Sequence, residues 1–92
     1  MKIETYKIIV YGKVQGVWFR KWIFDHAIRL NLTGYAKNLK RYDEVEIVIQ
    51  GNIKNLKKMI EISKIGPELA NVIRIEFSKI FNQKKYTNFD IK

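Results

Sequence analysis

VYGKVQGVWFR, Val10 to Arg20, holds two glycines, no acidic residue, and an arginine placed where a helix is about to begin. The run that leads into it, Thr5 to Tyr11, is β-branched and aromatic and reads as a largely buried strand ended by Gly12. Beyond it Ile23, Ala27 and Leu30 recur at helical spacing, with Phe24 and Ile28 widening the apolar stripe and Asp25, His26 and Arg29 on the other face. The stretch is therefore a strand–loop–helix joint, and Lys13 to Trp18 form a tight connection whose N–H groups have no ladder to pair with. An arginine in the first turn of a helix faces the positive end of the helix dipole. That is unfavourable by a few tenths of a kcal/mol, up to about 1, unless an anion lies between them.

Outward from this joint the chain continues in short alternating elements. Asn31 to Gly34, "NLTG", stops the first helix, because Asn and Gly tolerate the left-handed conformation at helix ends. Two extended runs, "GYAKNL" and "VEIVIQG", are joined by the polar stretch Lys40 to Glu44 and suggest a β-hairpin. Asn52 then caps a second helix with Ile53, Leu56 and Ile60 as its buried stripe, closed by Gly66 and Pro67. "NVIRIEFSKIF" alternates Ile73, Ile75 and Phe77, expected inside, against Arg74, Glu76 and Ser78. "YTNFDIK" gives a short last strand with Phe89 and Ile91 expected to face in.

The resulting order, β-α-β-β-α-β with a short fifth strand, predicts an α+β ferredoxin-like sandwich. Two helices cover one face of a mixed, mostly antiparallel sheet. With 92 residues the expected organisation is a single domain spanning 1–92. Apolar residues make up 47% of the chain in short runs only, which excludes a disordered segment and a membrane-spanning helix. The chain has no Cys, and "MKIETYK" offers no apolar stretch like a signal peptide, so a cytoplasmic protein without disulfides is expected. The Asn31-Leu32-Thr33 triplet is then read as no glycosylation site. Net charge is +9 and favours anionic partners, although the lysines are scattered rather than gathered into one arm.

The fold hosts many functions, so the site has to decide. In the loop, Gly16 allows positive φ and a close approach of backbone to ligand, as in phosphate cradles that feed a helix N-terminus. Arg20 adds a planar fork that matches two phosphate oxygens. A glycine-containing turn beside a surface arginine is the alternative on spacing alone. A cysteine nucleophile is excluded, because the position six residues before the arginine is Val14 and the chain has no Cys. Metal catalysis finds no ligand set: His26 is the only histidine and reads as a helix surface residue, while Asp43, Glu44 and Glu46 belong to a turn and strand. What remains is direct attack by water, which suits an acyl phosphate. Its leaving carboxylate has a conjugate-acid pKa of about 4 to 5 and needs no general acid.

The same residues resemble the acylphosphatase family. Gly12 to Arg20 is similar to its first signature, a glycine, a Val-Gln-Gly-Val run, an aromatic and then Arg. "GYAKN", Gly34 to Asn38, looks like the start of the second, and "GPELANV" and the closing strand extend the similarity over essentially the whole chain. The resemblance implies hydrolysis of acyl phosphates to a carboxylate and inorganic phosphate, with no metal and no cofactor. It implies Arg20 as the residue that binds and stabilises the phosphoryl group and the N–H groups of Gln15, Gly16, Val17, Trp18 and Phe19 as the rest of the cradle. Asn38, which by itself reads as a strand-end residue, becomes the holder of the attacking water. Trp18 is expected as rim packing beside the site. The hairpin "LKRYDEVE" departs from the family in having no glycine and one residue more.

Two other classes are carried beside this reading. A ferredoxin-like module that binds acyl phosphate without turnover would not need Arg20 and Asn38 together. A nucleic-acid-binding module would need aromatics on both central strands, and "VEIVIQG" has none. The expected partners are an acyl phosphate substrate and inorganic phosphate or sulfate as product or product mimic, with no membrane and no nucleic acid. The protein is expected to be a monomer.

Overall fold

The computed structural model describes residues 2–41, 43–81 and 84–92. The elements run β1 (Ile3–Lys13), α1 (Phe19–Arg29), β2 (Thr33–Asn38), β3 (Glu44–Asn52), α2 (Ile53–Ile65), β4 (Asn71–Lys79) and β5 (Phe89–Ile91). They build one five-stranded sheet in the order β4-β1-β3-β2-β5, antiparallel except for the β2–β5 pair. Each helix carries the chain over the neighbouring strand to a parallel partner, which is the split βαβ arrangement that the element order predicts.

Alternation along the strands decides which face is covered. Ile8 and Val10 of β1, Val45, Ile47 and Ile49 of β3 and Ala36 of β2 are buried together with Phe19, Ile23 and Ala27 of α1 and Leu56, Met59 and Ile60 of α2. Period 2 meets period 3.6 there, and the core fills the space between sheet and helices. The helix ends are closed as the sequence reading expects. Asn52 Oδ1 accepts from the Asn55 N–H at 3.0 Å, Gly66 follows α2, and Asn31 takes a left-handed φ of 56° after α1.

Several expected positions differ. β1 runs on through Gly12 to Lys13. Gly12 can continue the strand because its φ of 135° is open to glycine, and a Cβ there would stand 2.0 Å from the Asn71 carbonyl oxygen. Opposite this point the register of β4 slips: Tyr11 pairs with Arg74 but Gly12 with Val72, so Ile73 is an extra, bulged residue. Strict alternation of Ile73, Ile75 and Phe77 into the core therefore fails. Ile73 is 73% exposed and Phe77 50%, while Val72 and Ile75 are the residues that pack against the core. Phe77 does lie on the helix-covered side, but β4 is an edge strand and overhangs the helices. In α2 the first-turn residue Ile53 remains 36% exposed and the buried stripe is Leu56, Met59, Ile60 and Ser63; in α1 Ile28 is exposed. Phe89 is buried as expected, whereas Ile91 is half-exposed.

On the opposite face of the sheet Gln50 meets the segment Lys84 to Tyr86 that leads into β5. Its Nε2 donates to Thr5 Oγ1 at 3.0 Å and to the Lys84 carbonyl at 2.8 Å, and its Oε1 accepts from the Tyr86 N–H at 2.9 Å. This satisfies a buried amide completely enough to make it a structural residue. The hairpin between β2 and β3 closes by Leu39 N–H to the Glu44 carbonyl at 3.1 Å; its Tyr42 lies outside the described residues.

Gly12→Ala tests the strand crossing directly. It should lower stability by about 2 kcal/mol or more in urea unfolding, because positive φ and a backbone clash act together; an unchanged midpoint would contradict the close β1–β4 approach.

Candidate active site

Topology brings the two predicted halves of the site together. β1 and β2 run parallel on either side of β3, so their C-terminal ends lie at the same end of the sheet. Val45 of β3 pairs with Val10 on one side and with Asn38 on the other. At strand spacings of about 4.8 Å, Asn38 is therefore about 10 Å across the sheet from β1, on the helix-covered face.

The loop that follows β1 has an unusual backbone. Gly16 has φ 72° and Trp18 φ 62°, with no positive value at Val17 between them. Alternating signs of φ turn successive N–H groups toward a common point, which is the geometry of an anion-binding nest. Trp18 is the N-cap of α1, makes no side-chain capping bond, and is followed by a first turn with no acidic residue. The N–H groups at the start of α1 thus lack the usual side-chain acceptor. A left-handed tryptophan is strained by about 1–2 kcal/mol, and its side chain is 79% exposed, so packing of the indole does not explain the strain.

Beside this loop is a cavity of about 460 Å³ lined by Gly16, Trp18, Phe19, Arg20 and Asn38, together with Val14, Lys21 and Ile91. Five of the seven residues singled out from sequence meet there. Val17 is buried and does not line it, and neither does Gln15. The Gln15 carboxamide instead reaches the hairpin: Nε2 lies 3.1 Å from the Leu39 carbonyl, 2.9 Å from that of Arg41 and 2.8 Å from that of Glu44. Two N–H hydrogens serve three acceptors, so one bond is shared, and the loop after β1 is tied to the backbone that follows Asn38. The expectation for Gln15 is a main-chain donor only. Its run of neighbours gave no sign that its side chain spans to β2.

Arg20 Nη1 donates to the Lys92 carbonyl at 2.5 Å, which steadies the guanidinium from the β5 side. Asn38 Oδ1 is buried and has no hydrogen-bond partner among the described residues. A buried acceptor without a donor is unfavourable by about 1–3 kcal/mol, and at the wall of a cavity it is an acceptor for whatever the cavity takes in. Lys21, Val14 and Ile91 were not anticipated. Lys21 is drawn toward Asp25, 2.6 Å away, and Ile91 arrives from a strand too distant in sequence for spacing to flag.

Other titratable groups are occupied elsewhere. His26 is stacked edge-on to Trp22 with ring centroids 4.5 Å apart. Its pKa is held below the ordinary value by burial, with the nearby Arg29 charge acting the same way. Glu46 accepts from the Tyr35 hydroxyl at 2.6 Å, and Glu44 lies 3.5 Å from Arg41. Among the described residues no group of three or more His, Cys, Asp and Glu side chains could hold a metal ion, and no helix is long and apolar enough to cross a membrane.

A ferredoxin-like sheet with a glycine-containing loop, an arginine and an amide around one cavity is the arrangement to be compared with known proteins. The Acylphosphatase family model matches residues 6–91. An acylphosphatase of Dehalococcoides mccartyi is 40% identical over 86 residues, covering 94% of each chain. The solved acylphosphatase of Coxiella burnetii superposes with a TM-score of 0.92 at 32% identity, covering 98% of this chain and 93% of its own. That of Bacillus subtilis gives 0.92 at 31%, covering 99% of both. The chain belongs to the acylphosphatase family, and with it to the enzymes that hydrolyse carboxyl–phosphate bonds.

The strained cap makes a test that separates stability from function. Trp18→Gly should leave the urea midpoint unchanged or raise stability by up to about 1 kcal/mol, despite the loss of a large aromatic. A clear loss of stability would mean that the left-handed backbone at this position is not under strain.

Proposed function

We propose that the chain hydrolyses acyl phosphates by in-line attack of water, without a metal or cofactor, with Arg20 and Asn38 as its catalytic residues. The observation that carries the reading is the shared cavity wall of Gly16, Trp18, Phe19, Arg20 and Asn38, with Asn38 Oδ1 unpartnered among the described residues. Phosphoryl oxygens accept from the loop N–H groups of Gln15 to Phe19 and from the Arg20 guanidinium, which spreads their negative charge over preorganised donors. The loop then acts as a phosphate-binding loop, and inorganic phosphate or sulfate resembles the product closely enough to occupy it.

Asn38 holds the water. Its Oδ1 accepts one water proton and its amide N–H can donate to a phosphoryl oxygen, so the water oxygen is oriented toward phosphorus. The water oxygen forms the new bond to phosphorus while the bond from phosphorus to the carboxyl oxygen breaks and its electron pair leaves with the carboxylate. The water proton passes to a phosphoryl oxygen. No side chain has to titrate, in keeping with the absence of His26 and the acidic residues from the cavity wall. Trp18 and Ile91, both exposed at the cavity wall, give the acyl group apolar surface. Gln15 acts through the two halves it ties together, holding the loop in register with Asn38. The catalytic unit of this reading is the monomer.

The assay is hydrolysis of benzoyl phosphate with a metal chelator present. Wild type should be fully active. Asn38→Ala should lower kcat by about a hundredfold or more with little change in KM, whereas Arg20→Gln should lower kcat and raise KM together. Gln15→Leu should lower kcat by roughly tenfold while folded, because misplacement rather than loss of a catalytic group is involved. Chelator-sensitive activity, or full activity in both Arg20→Gln and Asn38→Ala, would overturn the proposal.

A further inference from the structure

The outer edge of β4 is the longest exposed sheet edge, and its sequence is complementary to itself. Ile80 N–H donates to the Thr5 carbonyl at 2.8 Å, and Gly12 N–H donates to the Asp43 carbonyl at 3.0 Å. In the alternating antiparallel ladder these two bonds fix the direction of every other main-chain group. Odd residues of β1 bond to β4 and even ones to β3. On β4, Arg74, Glu76 and Ser78 therefore bond inward to β1, while Ile75, Phe77 and Lys79 turn their N–H and C=O groups outward. β4 ends the strand order, so these groups face no other strand. Along them Ile73 and Phe77 are exposed apolar side chains.

We infer that β4 pairs antiparallel with β4 of a second copy of this chain, about a two-fold axis at Ile75, joining two five-stranded sheets edge to edge. In that register Ile75 meets Ile75 of the second copy, Phe77 meets Ile73, and Arg74 meets Glu76. The two-fold axis is perpendicular to the sheet and keeps each face with its like. Arg74 and Glu76 lie on the face away from the helices. There Arg74 already donates to Glu76 of its own chain at 2.6 Å, Tyr11 donates to Glu76 at 2.8 Å and Arg74 stacks over the Tyr11 ring at 3.8 Å. Strand pairing joins two such ion pairs into one alternating cluster of four charges. On the helix side, Ile75 and Phe77 meet apolar partners.

Neighbouring registers lose this match. Moving the axis to residue 76 sets Glu76 against Glu76, and moving it to residue 74 sets Arg74 against Arg74. Moving it to residue 77 puts Ile75 opposite Lys79. Like charges directly opposite on paired strands are destabilising and opposite ones stabilising, so the charges select one register. The bulge at Ile73 limits the paired run to residues 73–77. A strip that short buries less than the roughly 1,000 Å² of a stable interface, and each chain carries a net charge of +9. The association is accordingly weak and appears at high protein concentration, while the monomer remains the catalytic unit and both cavities stay open.

Sedimentation equilibrium over a wide concentration range tests this. Wild type should rise from the 11.0 kDa monomer toward twice that mass. Glu76→Arg and Arg74→Glu should each stay monomeric, because each sets like charges opposite. Mixed in equal amounts they should associate again, and so should the double exchange, which keeps the wild-type net charge. Hydrogen exchange on wild type should show the Ile75 amide gaining protection with concentration. Wild type monomeric at every concentration, association persisting in Glu76→Arg alone, or no recovery in the mixture of folded variants would overturn the inference, as would an Ile75 amide indifferent to concentration. None of these readouts depends on hydrolysis, and benzoyl phosphate turnover should be unchanged in the charge variants.

Discussion

At the start of α1 positive charge accumulates with no side chain to offset it. The φ angles of the preceding loop alternate in sign, the cap residue supplies no side-chain acceptor, the first turn holds no acid, and Arg20 adds a full positive charge. Elsewhere the same chain spends ordinary means on its helix ends: α2 begins with an Asn52 cap, and its last turn carries Lys64 against the carbonyl end. The first turn of α2 also lacks an acid, so the contrast lies in the cap: Asn52 accepts from Asn55 there, whereas no side chain caps α1. On the function proposed above, a dianionic phosphoryl group supplies the missing charge, and the surrounding structure holds the loop for it. Phe19 and Ile23 anchor α1 in the core, and Gln15 fastens the loop to the β2–β3 hairpin.

The second half of the site follows from topology. Because β3 is inserted between β1 and β2, one helix crossover suffices to bring Asn38 to the same end and face of the sheet as the loop. Arg20 and Asn38 are then presented from a helix start and a strand end, two elements whose backbones are fixed by the core rather than by each other. Gln15 spans the gap between them. The chain has no cysteine and its single histidine does not line the cavity. On the proposed mechanism the site positions a water and neutralises charge, and the substrate supplies a leaving group that needs no proton.

The main architecture was legible because local signals and tertiary packing agreed. Gly12 to Arg20 marked a strand–loop–helix joint, Asn31 and Gly66 marked helix ends, and helical spacing picked out Ile23 and Ala27. Legibility failed where the two disagreed. Alternation in β4 promised burial of Ile73 and Phe77, but a bulge opposite Gly12 displaces one and the sheet edge exposes the other. Period alone carries no information on whether a strand lies at an edge. Ile53 and Ile91 were misjudged for a related reason, since the first turn of a helix and the end of a short strand lie at the margin of the core. In the site, Arg20 was conspicuous through its charge and position, whereas Asn38 came only with the family resemblance. The roles of Gln15 and Gln50 side chains were invisible, because each joins backbone segments far apart in sequence and neither makes a local pattern.

If the convergent loop at the start of α1 is the phosphoryl site, inorganic phosphate alone should find it. The most direct measurement is a phosphate titration of the isotopically labelled wild-type chain followed by nuclear magnetic resonance. The backbone amides of Gly16, Val17, Trp18 and Phe19 and the guanidinium of Arg20 should shift together, along one saturable curve. Saturation with no shift in those groups, or phosphate shifting only the scattered surface lysines, would contradict the account.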